Sequence, residues 1–284
     1  MKGIVLVLMS MIFFAIMGIG VKTLTNIPFY EIIFFRSLIS VFICIVTIKR
    51  KGLKLFGLKE HRKLLIARGC VGTIGLGCFF LTIKHMNYAY AITMQQLTPM
   101  FILILSVMVF QRANHFMQWA GAVVALFGIY WTYHVNIDGI DNMVTVGIAG
   151  AFFTAMAYQL IYSLKGKEEP EVVIFYFPLI SIPVSSLMFF YQWVTPSMLE
   201  VLWLIEVGIC THIAQYFLTR AYQYEDPGKL SVYNHFGIVI ACLISHYLFK
   251  EYLNQAQWLG LGIIISGVVL SSIGLLLLYK KTLK

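Results

Sequence analysis

Charge is scarce in this sequence. Only 12% of the 284 residues are Asp, Glu, Lys or Arg, against 60% hydrophobic, and an ordinary soluble domain carries about twice that share of charge. So little polar surface cannot cover one or two soluble cores, which excludes a soluble enzyme, a disordered chain and a secreted disulfide scaffold. Cysteine is scarce as well. Cys44, Cys70, Cys78, Cys210 and Cys242 all fall in apolar stretches and form no CxxC pair, so they read as small packing residues. There is no Walker A phosphate loop, which argues against ATP-driven work by this chain alone. There is no HExxH and no clustered Cys/His signature, so no metal and no cofactor is expected. Glu168-Glu169 sit beside Lys165 and Lys167 and read as solvated charge, not as an intramembrane protease centre. What remains is an all-α polytopic membrane protein that is not an enzyme.

The charge that is present is unevenly placed. The net charge is +9, and Lys49, Arg50, Lys51, Lys54, Lys59, Arg62 and Lys63 crowd one short loop. No basic stripe lies on a foldable soluble surface, so nucleic acid is not an expected partner. A helix needs about 20 mostly apolar residues to cross a bilayer, and ten such runs occur: 3–22, 29–48, 64–83, 88–110, 115–133, 145–164, 172–192, 201–220, 229–249 and 257–279. They are too long and too uniformly apolar for barrel strands. The first run follows Lys2 without a convincing cleavage site and reads as a retained span rather than a signal peptide. With both termini inside, sixteen of the 21 Lys and Arg face the cytoplasm and three face outward. This bias predicts an inner-membrane protein with both ends cytoplasmic.

The chain also repeats itself. Phe80-Leu81-Thr82 returns as Phe217-Leu218-Thr219, Phe13-Phe14 and Met17 as Phe152-Phe153 and Met156, Leu38-Ile39-Ser40 as Leu179-Ile180-Ser181, and Trp119 and Gly121 as Trp258 and Gly260. The order is kept at a nearly constant offset. Helices 1–5 (residues 1–133) therefore read as one copy, 134–144 as an outer linker and 145–284 as the second copy. Five is odd, so the copies enter the membrane in opposite directions. Two inverted-topology five-helix repeats are a recurring design of secondary transporters and suit alternating access.

Polar groups at membrane depth mark candidate sites. Arg36 lies about seven residues into helix 2 and could anchor an anion through its planar fork; pairing with Glu31 is the structural alternative. Arg68, near the start of helix 3, reads as snorkelling to the headgroups. Helix 4 carries Thr93, Gln95, Gln96 and Thr98 before Pro99, which removes a helix hydrogen bond and can interrupt the helix. Helix 9 answers with Ser231, Tyr233, Asn234 and His235. Tyr158 on helix 6, and His212 and Gln215 on one face of helix 8, complete the expected substrate-binding set of Arg36, Gln95, Gln96, Tyr158, His212, Gln215, Tyr233, Asn234 and His235. Glu206 is the candidate for proton coupling. The alternative for each is interhelical hydrogen bonding. The expected partners are a small-molecule substrate, the lipid bilayer and a coupling proton, and the chain is expected to be a monomer.

Four stretches carry a resemblance. Pro28-Phe29-Tyr30-Glu31-Ile32-Ile33-Phe34-Phe35-Arg36, Arg68-Gly69, Ala91 through Pro99, and Leu248-Phe249-Lys250-Glu251 are similar, in order and spacing, to the EamA branch of the drug/metabolite transporter superfamily. Within it, the Phe-Phe-Arg of helix 2 and Arg68-Gly69 most resemble the subgroup containing bacterial S-adenosylmethionine uptake carriers. The resemblance implies ten helices and a secondary carrier for a small polar or zwitterionic metabolite, amino-acid-like or nucleoside-like. S-adenosylmethionine uptake is the narrower alternative. An intramembrane enzyme or sensor is the alternative of another class.

Overall fold

The computed structural model describes residues 2–108, 116–134, 142–225, 227–230, 236–250 and 255–282, and among them there is helix but no strand. The helices are α1 (Lys2–Thr23), α2 (Phe29–Arg50), α3 (Arg62–His85), α4 (Tyr88–Gln95), α5 (Thr98–Met108), α6 (Phe116–His134), α7 (Asn142–Ser163), α8 (Pro170–Ser186), α9 (Met198–Tyr224), α10 (Pro227–Leu230), α11 (Phe236–Tyr247) and α12 (Gln255–Thr282). Six of them, α1, α2, α3, α7, α8 and α9, are long and apolar enough to cross a membrane, with short 3-10 turns extending α3 and α8.

Helix ends follow local chemistry. The sequence predicts a start near residue 201 for α9, and the structure starts it at Met198 because Ser197 and Glu200 form a capping box. Glu200 Oε2 accepts from the Ser197 N–H at 2.8 Å, while Ser197 Oγ accepts from the Glu200 N–H. Such a box satisfies two amide donors that a bare helix start leaves open. The run 88–110 is not one helix. It divides into α4 and α5, with Gln96 and Leu97 forming a turn in which their amides reach only Thr93 and Met94, at 3.0 and 3.1 Å. Pro99 follows as the second residue of α5, where its missing N–H costs nothing. The run 229–249 yields α10 and α11, and residues 231–235 between them lie outside the description. Helix α8 ends at Ser186, six residues short of the predicted 192, and tightens into a 3-10 turn through Phe190.

The helices pair as α1 with α9, α3 with α7, α2 with α8, α6 with α12 and α4 with α11, with further contacts of α3 on α8, α2 on α9, α5 on α7 and α1 on α11. The loops gather at two ends. At one, Lys51 donates to Glu171 at 2.6 Å, which raises the Lys51 ammonium above its ordinary range, and Glu168 accepts from the Leu58 amide at 2.8 Å beside the His61 ring. Gly57 turns there at φ +59, where a Cβ would meet the Glu168 carboxylate. At the other end Lys22 donates to the Met86 carbonyl at 2.6 Å, Lys84 donates to the Leu24 carbonyl, and Glu31 accepts from the Val194 amide at 2.8 Å.

Hydrocarbon offers helices no hydrophobic reason to associate, so close backbone contact must do it. The α6–α12 pair shows how. Gly121 faces the Gly267 carbonyl and the Ser271 backbone, while Gly128 faces the Gly260 carbonyl and Ile264. A Cβ on either would strike backbone, which cannot swing aside. Gly121→Leu or Gly267→Leu should therefore lower the stability of the purified protein by about 1–3 kcal/mol, the usual cost of overpacking. Gly262→Leu, at a position with nothing within 4 Å, should leave thermal unfolding in detergent unchanged.

Candidate functional site

The site begins with a glycine. Gly69 on α3 lies against the Tyr176 carbonyl and the Ile180 side chain of α8, so the two helices approach to backbone distance. That approach seats Arg68 beside Phe177, with the guanidinium carbon 4.7 Å from the ring centroid. From the other side of the fold α2 brings Arg36 to the same ring at 4.6 Å. Thr73, one turn after Gly69, fixes the α3–α8 contact through a 2.8 Å hydrogen bond with Ser181.

Arg68 is 1% exposed, as is Arg36. Arg68 does not snorkel: its side chain is buried against Gly72 and Phe177, and it donates to Gln215 Oε1 at 3.2 Å. Burial follows from Gly69 and Gly72, which leave room for the guanidinium under α8. Neither arginine meets a carboxylate among the described residues. Glu31, the expected alternative partner of Arg36, is taken by the Val194 amide, and Glu171 is taken by Lys51. Arg36 has only a 3.4 Å contact from Nε to Ser37 Oγ, and Arg36 Nη1, Arg68 Nε and Arg68 Nη1 have no hydrogen-bond acceptor. A cation–π contact contributes about 0.5–2 kcal/mol, whereas burying an ion costs several kcal/mol even after relaxation. Phe177 alone does not offset two guanidiniums.

Arg68 faces a cavity of about 140 Å³ between α1, α3, the α4–α5 break, α7, α8 and α9. Gln95 and Gln96 line it at the break, together with Thr98 and Pro99; Tyr158 of α7 and Gln215 of α9 close the side, and Phe14, Phe79 and Phe177 supply apolar wall. The Tyr158 ring packs on Tyr222 at 4.8 Å. Tyr88, at the start of α4, reaches over to the Ala15 carbonyl at 3.2 Å and is seated on Gly18. Arg68 is the one charged side chain on the wall among the described residues. Its unsatisfied groups and the buried Gln95 Nε2 are N–H donors.

Gln95, Gln96, Tyr158 and Gln215 are thus gathered on one cavity. Arg36 touches Phe177 but is not on the wall. His212 is also off the wall, its Nδ1 lying 3.0 Å from Ser40 Oγ on α2. The Glu206 carboxylate lies against Gly20 of α1, again away from the cavity. Tyr233, Asn234 and His235 lie outside the described residues. Arg68, Phe177 and Thr98 were not among the residues selected from the sequence. The spacing Gly69, Gly72 and Gly75 on α3 is the signal for them, since it marks a face pressed against neighbouring helices.

Comparison with known proteins agrees with this architecture. A family model described as the EamA-like transporter family matches residues 1–134 and 142–273. The pseudopaline exporter of Pseudomonas aeruginosa is 27% identical over 242 residues, covering 84% of each chain. An S-adenosylmethionine uptake transporter of Rickettsia prowazekii is 24% identical over 269 residues, covering 93% of this chain and 90% of the relative. A solved crystal structure superposes with a TM-score of 0.73 at 16% identity, over 95% of this chain and 96% of that one, which shows a shared fold.

The Arg68–Gln215 contact carries a prediction. Gln215→Leu removes the one hydrogen bond of Arg68 and should destabilise by about 1–3 kcal/mol. Gln215→Glu supplies a carboxylate instead and should hold or raise the thermal midpoint. Unfolding scans of both variants without ligand check the order.

Proposed function

This chain belongs to the EamA-like transporter family and is a membrane transporter rather than an enzyme, and from that premise we propose that it is a secondary carrier for a small polar or zwitterionic metabolite, working by alternating access. The observation that carries the reading is the cavity at the α4–α5 break, walled by helices from both halves of the chain. Broken helices in transporters leave backbone groups free where they face a path for solute. The cavity is smaller than the roughly 300 Å³ at which small-molecule pockets usually begin, so a metabolite-sized cargo requires the walls to part.

The helix pairing supports ten membrane segments in two inverted units, 1–133 and 145–284. Taking α4–α5 and α10–α11 as one segment each, exchange of the first five with the last five turns the α1–α9 contact into α7–α3. It turns α3–α8 into α9–α2 and α5–α7 into α11–α1, and returns α2–α8, α4–α11 and α6–α12 to themselves. The glycines obey the same exchange: Gly121 against Gly267 becomes Gly260 against Gly128. An inner-membrane orientation with both termini cytoplasmic rests on the bias of Lys and Arg. We take the substrate-binding set to be Gln95, Gln96, Tyr158, Gln215, Tyr233, Asn234 and His235, with Arg36 and His212 in support, Glu206 as proton-coupling group and the monomer as the working unit. S-adenosylmethionine, the cargo in the names of the Rickettsia relatives, is the narrower candidate.

Purified protein in liposomes should exchange a labelled metabolite across the bilayer. Gln96→Leu and Asn234→Leu should abolish that flux while thermal unfolding stays near that of the parent, because leucine suits a lipid-like interior. Normal flux in both variants overturns the site. A cysteine probe in the 134–144 loop should react from the periplasm only; reaction from the cytoplasm overturns the orientation.

A further inference from the structure

We infer that the cargo is an anion recognised through its carboxylates, with one carboxylate seated on Arg68 in the cavity and Arg36, on the same Phe177 ring, completing the charge balance. The inference rests on the carrier reading and narrows it from polar metabolites at large to carboxylate-bearing ones with net negative charge, which sets aside S-adenosylmethionine, a net cation, as the cargo. Three observations lead to it. Both arginines are 1% exposed and share one aromatic ring, Phe177, yet no described carboxylate reaches either. The acidic groups of the neighbouring spans are placed elsewhere: Glu31 on the Val194 amide, Glu171 on Lys51, Glu206 against Gly20. Finally, the open valences on the cavity side are the donors Arg68 Nε and Nη1 and Gln95 Nε2 together with one hydroxyl, Thr98 Oγ1, which can donate or accept.

A site whose open groups are mostly donors favours an acceptor-rich ligand, and a positive site at membrane depth selects an anion. A guanidinium and a carboxylate also match in plane and spacing, which an ammonium does not. A cargo without a carboxylate would leave the two buried charges uncompensated throughout the transport cycle, and a zwitterion would bring one new positive charge for each it neutralises. A carboxylate would neutralise them only while bound, so the arginines would disfavour the empty cavity and favour the loaded one. That difference is what an obligatory exchanger needs.

The test uses the purified full-length protein in detergent and a thermal-shift panel of small acids, from acetate through succinate and glutamate to citrate. Each acid is matched with an amide in which every carboxylate is replaced, such as acetamide or succinamide, and spermidine serves as cationic control. The expected result is stabilisation by the di- and tricarboxylates that their amides do not share. Arg68→Lys should weaken the effect by about tenfold or more, in line with loss of the bidentate fork. Arg68→Met should abolish the shift while the unliganded protein unfolds at the same temperature as the parent or higher, because an uncompensated charge has been removed. Equal stabilisation by acids and amides, stabilisation by spermidine alone, or no shift with any acid overturns the inference. So does a lower unliganded midpoint in Arg68→Met, which makes the arginine structural. Carboxylate binding without flux in liposomes would retain the anion site and overturn the carrier, whereas flux of a neutral or cationic solute that acids do not compete would do the reverse.

Discussion

Two positive charges lie inside this protein against one aromatic ring, and no carboxylate among the described residues reaches either. Lipid cannot solvate a guanidinium, and Arg36 and Arg68 are each only 1% exposed. Everything around them is arranged to hold that situation in place. Gly69 and Gly72 bring α3 under α8, Ser181 pins Thr73, and Gln215 offers Arg68 an amide oxygen in place of a carboxylate. An amide oxygen orients the fork without neutralising it, so the site keeps its charge.

The glycines have a second role, which is to let helices touch where no hydrophobic force draws them together. Gly121 and Gly267 on α6 and α12, and Gly75 and Gly150 on α3 and α7, are contacts of backbone on backbone. Such contacts tolerate sliding poorly but survive as rigid units. The pairs they join cross between the two halves of the sequence, so each half is completed by the other and neither has a closed surface alone.

Much of this was legible in the residues. Apolar runs mark the long helices because the bilayer fixes their length, and Pro99 after a band of polar residues marks the interruption between α4 and α5. Gln95, Gln96, Tyr158 and Gln215 were selected for their polarity in apolar spans, and the cavity holds all four. Arg68 was not legible in the same way. Its distance from the end of its helix suits a side chain reaching for headgroups, and only the approach of α8, set by glycines in α3 and aromatic residues far away in sequence, turns it inward. Glu31 illustrates the converse. It lies on the same helix as Arg36 and looks like its partner, but Val194, brought back by the loop before α9, takes its oxygen. Helix boundaries shifted where caps outweighed hydropathy, as Ser197 and Glu200 did for α9.

The lysines at the end away from the basic loop have a mechanical meaning. Lys22, on the last turn of α1, bonds the carbonyl that follows α3, and Lys84, on the last turn of α3, bonds the carbonyl that follows α1. Each helix is thereby capped by the other. Because α1 also packs on α9 and α3 on α7, the crossed lysines link four helices, two from each half of the chain, at that end. Cutting the connection between the first and second halves of the chain would therefore leave the two helices of this clasp without covalent continuity to the helices they pack on.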